Sequence, residues 1–576
     1  MSRPDWIVLI VTLVAIIAYG LYRSRTSKNL EGYFLSDRSM PWYLVLLSIM
    51  GTQASAITFL SAPGQAFTDG MRFVQYYFGL PIAMVILCIT FVPKFHKVKV
   101  FTAYEYLEQR FDLKTRTLTS FLFLLSRGLS TGISIYAPSI ILSSLLGWNI
   151  FWTNIVMGGL LIIYTVSGGA KAVAYTQQLQ LLIIFVGMFV AGYCIVHYLP
   201  EGIGFTDALR VSGASGKLNV ITTGITEKGF DWKDRYNLIS GVIGGFFLAL
   251  SYFGTDQSQV GRYLTAKSDT ESRLGLLMNG LVKVPMQFLI LLLGALLFTF
   301  YQFNPSPVFF NNSVASKAME TPYRDTLLQV EENFNAVQER QEELSKLYVL
   351  EARPAYKDSL RTGTLQMNAL QKQYKTILKK ALPNEDASDT NYIFLRFVVD
   401  FLPKGLVGLL IAIIFLAAWG SIAAALNSLA SCTMIDFHLR LRGKQYDSSN
   451  PEQCLSEYKV SRYYTLAWGI FSVITAEFAT GMGSLIEAVN VLGSLFYGVI
   501  LGVFLVAFYW KKIGSNAVFW AAILGEGVVI AFFLLDKYNI IGLGFLWLNV
   551  VGALAVVLFA ILMQSFQRGE IIIKSE

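Results

Sequence analysis

Charge is scarce in this 576-residue chain: Asp, Glu, Lys and Arg together make up 15% of it, against 54% apolar residues. A soluble chain of this length divides into domains with charged surfaces, so the composition argues against that class. Cysteine is rarer still. Cys88, Cys194, Cys432 and Cys454 show neither metal-ligand spacing nor a disulfide framework, which points to free thiols. The three histidines, His96, His197 and His438, lie far apart. Without a Ser-His-Asp set, an HExxH string or a P-loop, no enzyme is expected. The first apolar run lacks a small-residue cleavage site and is long enough to span, so it reads as a membrane helix and not as a removable signal.

What the chain has in abundance is long apolar runs. A bilayer core takes about twenty such residues per helix, and backbone groups in lipid must pair within the segment. The expected class is therefore all-α integral membrane, with about thirteen transmembrane helices at 5–22, 42–62, 74–93, 118–144, 149–167, 177–199, 237–256, 275–302, 393–430, 461–481, 484–510, 516–535 and 540–564. The stretch 393–430 exceeds one straight crossing, so it is tilted or starts outside the bilayer. The net charge of +8 is placed unevenly. Arg23, Arg25, Lys28 and Arg38 fall on one side, with Lys94, Lys97, Lys99, Arg110, Lys114 and Arg116, then Lys171, then Arg262, Lys267 and Arg273. Arg440, Arg442, Lys444, Lys459, Arg462, Lys511, Lys512, Arg568 and Lys574 follow on that same side. The positive-inside rule then puts the N-terminus outside and the C-terminus in the cytoplasm of a plasma (bacterial inner) membrane. The lipid bilayer is the expected surrounding, and no nucleic-acid partner is expected.

Residues 304–392 are polar but keep a helical period, with Leu327, Val330, Phe334, Val337, Leu344 and Leu347 before Pro354, and Leu360, Met367, Leu370, Tyr374 and Leu378 after it. This predicts an extracellular helical hairpin insert. It reads either as a decorated loop or as a lid or protein-partner docking arm over the outer side.

Two spans carry residues that a lipid-facing helix disfavours. One reads Gly51, Thr52, Gln53, Ala54, Ser55, Ala56, Ile57 and Thr58, then Ser61, Pro63 and Gly64; the other runs from Ser251 to Gln257 through Gly254, Thr255 and Asp256. Intramembrane polar groups face protein or a water-filled cavity, and small hydroxyl residues permit unwinding that frees carbonyls for a cation. Helix–helix packing is the plainer use of the same residue types. Yet the two segments open two groups of five spans, 42–199 and 237–510, of opposite topology, the layout of an inverted-repeat carrier with a midplane site. The full division is 1–41 (first helix and cytoplasmic loop), 42–199, 200–236 (extracellular loop), 237–510 interrupted by the 304–392 insert, and 511–576 (two helices and a tail).

Six strings in order give the chain a family resemblance. "TQASAITFLSAPGQAF", "VPKFHKVKVFTAYEYLEQRF", "GISIYAPSIILSSLLGW", "YTVSGGAKAVAYTQQLQ", "YFGTDQSQVGRYLTAKS" and "AAWGSIAAALNSLASCTMID" resemble segments of the sodium/solute symporter family, with its sodium/glucose, iodide, proline and sialic acid transporters. The resemblance covers nearly all of the chain outside 304–392. It implies a five-plus-five inverted-repeat (LeuT-like) core and sodium-coupled symport of a small polar organic solute (sugar, carboxylate or vitamin-like) into the cell by alternating access. A transporter-fold sensor or receptor and an uncoupled facilitator are the alternatives.

Residue by residue, the resemblance implies a sodium site at Gly51, Ala54, Ala417, Gly420 and Ser421; oxygen ligands suit a hard cation. Two departures stand out. Gly420 replaces one of two adjacent hydroxyl residues, and Gln177 stands where most relatives have an aspartate. The implied solute-binding positions are Gln53, Ser55, Thr58, Gln75 (with Tyr77 an equal candidate), Tyr252, Lys283 and Asn490, with Glu487 one turn before the last. Arg127 is either an anchor for an anionic solute or an arginine that snorkels or pairs within the bundle.

Overall fold

The computed structural model describes residues 2–23, 28–443, 450–479 and 482–566; Arg25, Lys444, Arg568, Lys574 and the end of the expected span 461–481 lie outside them. The chain is helical almost throughout, because each apolar run closes its own backbone hydrogen bonds. The helices that position the site are α1 (Arg3–Arg23), α2 (Trp42–Gln53), α3 (Ala56–Asp69), α4 (Leu80–Val98), α5 (Leu113–Leu146), α6 (Ile150–His197), α7 (Gly245–Thr255), α8 (Gln257–Tyr263) and α9 (Asp269–Phe303). They continue with α10 (Arg324–Leu350), α11 (Pro354–Ala381), α12 (Leu406–Cys432), α13 (Pro451–Ala476), α14 (Leu485–Tyr509), α15 (Ser515–Lys537) and α16 (Leu546–Phe566). Among the described residues nine helices are long and apolar enough to cross a bilayer, and α2 with α3 makes a tenth, bent by 60°. Ile150–Val166 and Ser240–Thr255 are shorter apolar helices.

Both expected interruptions are present. Between α2 and α3 the backbone leaves helical geometry at Ala54 (φ −82°, ψ 79°) and Ser55 (φ −84°, ψ 174°). Between α7 and α8 it does so at Asp256 (φ −77°, ψ 116°).

Several boundaries differ from expectation. The segment 393–430 is not one tilted helix: a separate helix Ile393–Phe401 precedes α12, and Pro403 and Gly405 (φ 91°) stop one from running into the other. The Asp5 carboxylate accepts from the Gly405 and Gly408 N–H groups, filling donors that a helix start leaves open. The stretch between spans 149–167 and 177–199 is not a loop. It is helical apart from Gly169 (φ 60°), so Lys171 lies in a helix. Asn450, capping the N–H groups of Glu452 and Gln453 ahead of Pro451, starts α13 ten residues before the expected 461.

Two of the basic residues counted as loop charges are buried. Arg116 donates to Asp436 (2.6 and 2.8 Å) and Glu108 (2.5 Å), and Asp436 also accepts from Thr102 and Ser120. That cluster joins α5 and the segment before it to the helical turn Thr433–His438 that continues α12. Arg262 lies inside α8 and is 1% exposed.

The 304–392 insert is the expected helical hairpin, α10 against α11. Leu327, Val330, Phe334, Met367, Tyr374 and Leu378 form its core, whereas Leu347, near the tip, is exposed and not an interior position. At its base Lys375 pairs with Asp389 (2.5 Å), whose other oxygen accepts from Phe310 N–H. The returning strand of chain rests on the broken helix: Ser61 Oγ donates to Asn391 Oδ1 (2.6 Å), and a Cβ on Gly64 would lie 1.9 Å from the Thr390 carbonyl oxygen.

Under the hairpin Lys217 donates to the Thr68 carbonyl and lies 4.8 Å from the Phe298 ring centre. Burial pushes its ammonium down to about 8 from 10.5, against the pull of Asp69. The unfolded chain therefore holds more protons than the folded one between those values, and stability rises with pH across that window. Thermal unfolding followed from below pH 8 to above pH 10 is expected to show this rise, and Lys217→Met is expected to flatten it.

Candidate solute and cation site

A cavity of about 110 Å³ lies between the two breaks, walled by α3, α5, α7, α12, α14 and the tight turn Met71–Tyr77. Of the solute-binding candidates, Gln53, Ser55, Thr58, Arg127, Tyr252 and Asn490 line it, and so does Tyr77. Gln75 does not. Its amide nitrogen donates to Thr222 Oγ1 (3.0 Å) and the Tyr236 carbonyl (3.0 Å), and its oxygen accepts from Thr222 N–H, so it anchors the 218–237 loop. The turn Met71–Tyr77 is a 3₁₀ helix, and its three-residue repeat brings Tyr76 and Tyr77 to the cavity instead. Lys283 is also outside the lining. It is fully buried, with Nζ 5.6 Å from the Tyr77 ring centre and no hydrogen-bond partner among the described residues. Glu487, one turn from Asn490, is held by Arg235 (2.6 Å) and the Tyr236 hydroxyl (2.9 Å).

The floor of the cavity is a charged network that sequence reading did not assign. Asp256, at the second break, accepts from Ser258 N–H (2.7 Å) and Oγ (2.6 Å) and from the Tyr497 hydroxyl (2.8 Å). Arg127 Nη2 donates to Ser258 Oγ (2.5 Å), and its Nη1 lies 3.9 Å from Asp256 Oδ2. The guanidinium also sits 5.7 Å from the Tyr252 ring centre, and the Tyr252 hydroxyl accepts from Gln259. A visible signal was the polar stripe Arg127, Ser130, Thr131 and Ser134, at helical spacing on an apolar helix.

Two of the cation candidates, Gly51 and Gly420, meet at Gln177. The first break sends Ser55 N–H to the Gln53 carbonyl (3.1 Å) and Thr58 N–H to the Ser55 carbonyl (3.0 Å). In an unbroken helix those donors would serve Gly51 and Ala54, so the interruption releases the two carbonyls proposed as ligands. On the facing side Ser421 lines the cavity and donates to the Ala418 carbonyl (3.0 Å). Ala417 and Gly420 are buried in α12 beside it. Gln177 Nε2 donates to the Gly420 carbonyl (3.0 Å) and Thr52 Oγ1 (3.2 Å), while its Oε1 accepts from Ser48 (2.9 Å). A Cβ on Gly51 would lie 2.9 Å from the Gln177 side chain, and one on Gly420 would lie 2.5 Å from Gln180 Oε1. Glycine at both positions is what lets Gln177 reach between α2 and α12.

Comparison with known proteins matches residues 33–321 and 367–525 to the model of the sodium:solute symporter family. The unmatched stretch between them falls within the insert. A sodium/sialic acid symporter of Proteus mirabilis (strain HI4320) is 26% identical over 96% of this chain and 93% of its own length. A sodium/glucose cotransporter of Vibrio parahaemolyticus is 25% identical over 95% and 87%. A solved substrate-bound, outward-open Na+-coupled sialic acid symporter shares the fold over 98% of both chains, with a TM-score of 0.74 at 24% identity.

Proposed function

Because this chain belongs to the sodium:solute symporter family and is a multi-pass, sodium-coupled symporter of a small organic solute, we propose that the solute binds in the cavity between the two breaks and the cation at the first of them. The observation that carries this is the release of the Gly51 and Ala54 carbonyls at a break whose Gln53 and Ser55 line the same polar cavity as Ser421 on the facing helix. Gln53, Ser55, Thr58, Tyr77, Tyr252 and Asn490 contact the solute. Gly51, Ala54, Ala417 and Ser421 hold sodium, and the Gly420 carbonyl joins them only when Gln177 lets go of it.

In this reading the two breaks open two inverted five-span groups, 42–199 and 237–510. Sodium binding favours the form in which the cavity opens outward; solute then permits closure, and the ion leaves into a sodium-poor cytoplasm. The loop charges support an outside N-terminus and a cytoplasmic C-terminus. The 304–392 hairpin then caps the outer side, with its base tied to α3 through Ser61 and Asn391.

The test is solute accumulation in proteoliposomes with and without an inward sodium gradient, on the native chain and on Thr58→Val and Ser421→Ala. Gradient-driven uptake is expected in the native protein. The first variant is expected to weaken mainly solute affinity and the second mainly sodium affinity. Uptake indifferent to sodium in the native chain, or variants that shift neither affinity, would remove the site from this position.

A further inference from the structure

The 304–392 insert carries a charge pattern that the solute and cation site does not use. We propose that the hairpin is a self-association arm: the outer edge of α10 on one copy docks against the outer edge of α11 on the next, and so lines up copies of this chain in rows within one bilayer.

Each helix of the hairpin has a row of exposed residues at seven-residue spacing, turned away from its buried row. On α10 the row is Asp325, Glu332, Glu339 and Lys346; on α11 it is Asp358, Leu365, Lys372 and Lys379. Gly363 packs directly on Gln341, whose Nε2 donates to the Leu360 carbonyl (3.1 Å), and this contact fixes the antiparallel register. Counted outward from it, Asp325 is level with Lys379, Glu332 with Lys372, Glu339 with Leu365, and Lys346 with Asp358. Opposite charges match at every level but the Leu365 one, and the sign reverses on both helices at the same level.

These pairs do not close within one chain. The rows sit on opposite outer edges of the hairpin, about 20 Å apart for two helices each about 10 Å wide. Among the described residues the only one of these charges with an ion-pair partner is Lys346, held by Glu342 of its own helix (2.7 Å). Setting a second hairpin beside the first in the same direction brings the two edges together. The neighbour's α11 then runs antiparallel to α10, and every level is kept. The α11 edge is recessed to receive it: a hollow of about 530 Å³ is bordered by Lys372, Lys375, Lys379 and Lys380, and Asp325 and Glu332 of the neighbour enter there. Leu365, 63% exposed on the single chain, is covered by Glu339. The level of Lys346 and Asp358 sets the register. A slide of seven residues one way puts Glu339 on Asp358, and the other way leaves Lys346 on Leu365. Exposed ion pairs are individually weak, so the contact forms where copies share one membrane and one orientation, which raises their effective concentration. Because α10 of one copy takes α11 of the next, each copy keeps a free edge and the contact propagates as a row.

The experiment cross-links the full-length chain in proteoliposomes with a short bismaleimide, at the one level that is not an ion pair. Cys88, Cys194, Cys432 and Cys454 are all buried, so thiols introduced by Glu339→Cys and Leu365→Cys are the ones that react. The double variant is expected to give a ladder of dimers, trimers and longer products, and each single variant to stay monomeric, because position 339 of one copy meets position 365 of the next and not its own equivalent. Raising the salt to about 1 M, where the Debye length falls to about 3 Å, is expected to cut the ladder roughly fivefold or more. Glu332→Lys in the same background is expected to cut it as far, and Lys372→Glu added to that is expected to restore it. Solute uptake equal to the native rate in every variant checks that the fold is kept. The proposal is overturned by a double variant without a ladder, by single variants that dimerise as readily as the double one, or by a ladder indifferent to salt and to charge reversal. None of these outcomes touches the symport reading, which rests on other residues.

Discussion

Asp256→Asn is expected to reduce sodium-driven uptake by on the order of a hundredfold, and Arg127→Gln added to it is expected to restore part of the loss. The carboxylate accepts from Ser258 N–H and Oγ and from Tyr497, and it is the counter-charge of Arg127. All of this lies at the break between α7 and α8, where Asp256 is 1% exposed. Removing one partner of a buried ion pair costs about 3–5 kcal/mol, because the other charge stays behind without compensation. Asparagine keeps the cap on Ser258 N–H but not the charge. The expected outcome is a folded protein whose floor no longer closes under the solute, seen as loss of accumulation together with faster solute efflux. In the double variant neither charge remains, so the coupling between the two positions should appear as strong non-additivity in a double-mutant cycle. Additive losses would mean that the 3.9 Å approach of Arg127 to Asp256 carries no energy of consequence.

The parts of the molecule that were legible in its residues are those where chemistry conflicts with lipid. Ser55 and Asp256 sit in apolar runs that have no use for them unless the helix opens there, and both openings exist. The hairpin was legible for a related reason, since a helical period without enough apolar residues to span leaves only a polar pair of helices. What could not be read was register inside short non-α turns. The resemblance left Gln75 and Tyr77 as equal candidates; a 3₁₀ turn advances side chains by a third of a circle, and here it brings Tyr77, together with the unassigned Tyr76, to the cavity and turns Gln75 to the neighbouring loop. Charge also misled where it was buried. Arg116 and Arg262 look like cytoplasmic loop cations in sequence, yet both are buried, and Arg116 meets Asp436 from a helix more than three hundred residues away. Such long-range partners leave no local pattern. Arg127 and Asp256 escaped as a pair for the same reason, although each was singled out by itself.

The amide of Gln177 is the feature on which sodium dependence is expected to turn most sharply. It spans three groups with the polarity an amide requires: its NH₂ meets the Gly420 carbonyl and Thr52, and its oxygen meets the Ser48 hydroxyl. For sodium to use the Gly420 carbonyl, that N–H must first withdraw, so in the native chain the amide and the ion compete for one oxygen. Gln177→Glu keeps length and shape but exchanges two donors for a charge. The Thr52 hydroxyl can turn to donate to the carboxylate, but the Gly420 carbonyl then faces it with no proton between them, and a cation is the species that removes that repulsion. At about 4 Å and an effective dielectric near 20, a unit charge pair is worth roughly 4 kcal/mol. After discounting for desolvation, the sodium concentration for half-maximal uptake is expected to fall by about ten- to a hundredfold. Maximal uptake is expected to fall with it, because an ion held that firmly is released slowly to the cytoplasm. Gln177→Leu, which removes the donor without adding charge, is expected to shift the half-saturation by less than about fivefold, the scale of one neutral hydrogen bond. Acidification offers the internal control. A protonated glutamic acid again presents an O–H to Gly420, so Gln177→Glu should approach native sodium dependence as pH falls while Gln177→Leu stays unchanged. A sodium half-saturation in Gln177→Glu equal to that of the native protein at every pH would place the coupling ion away from Gly51 and Gly420 altogether.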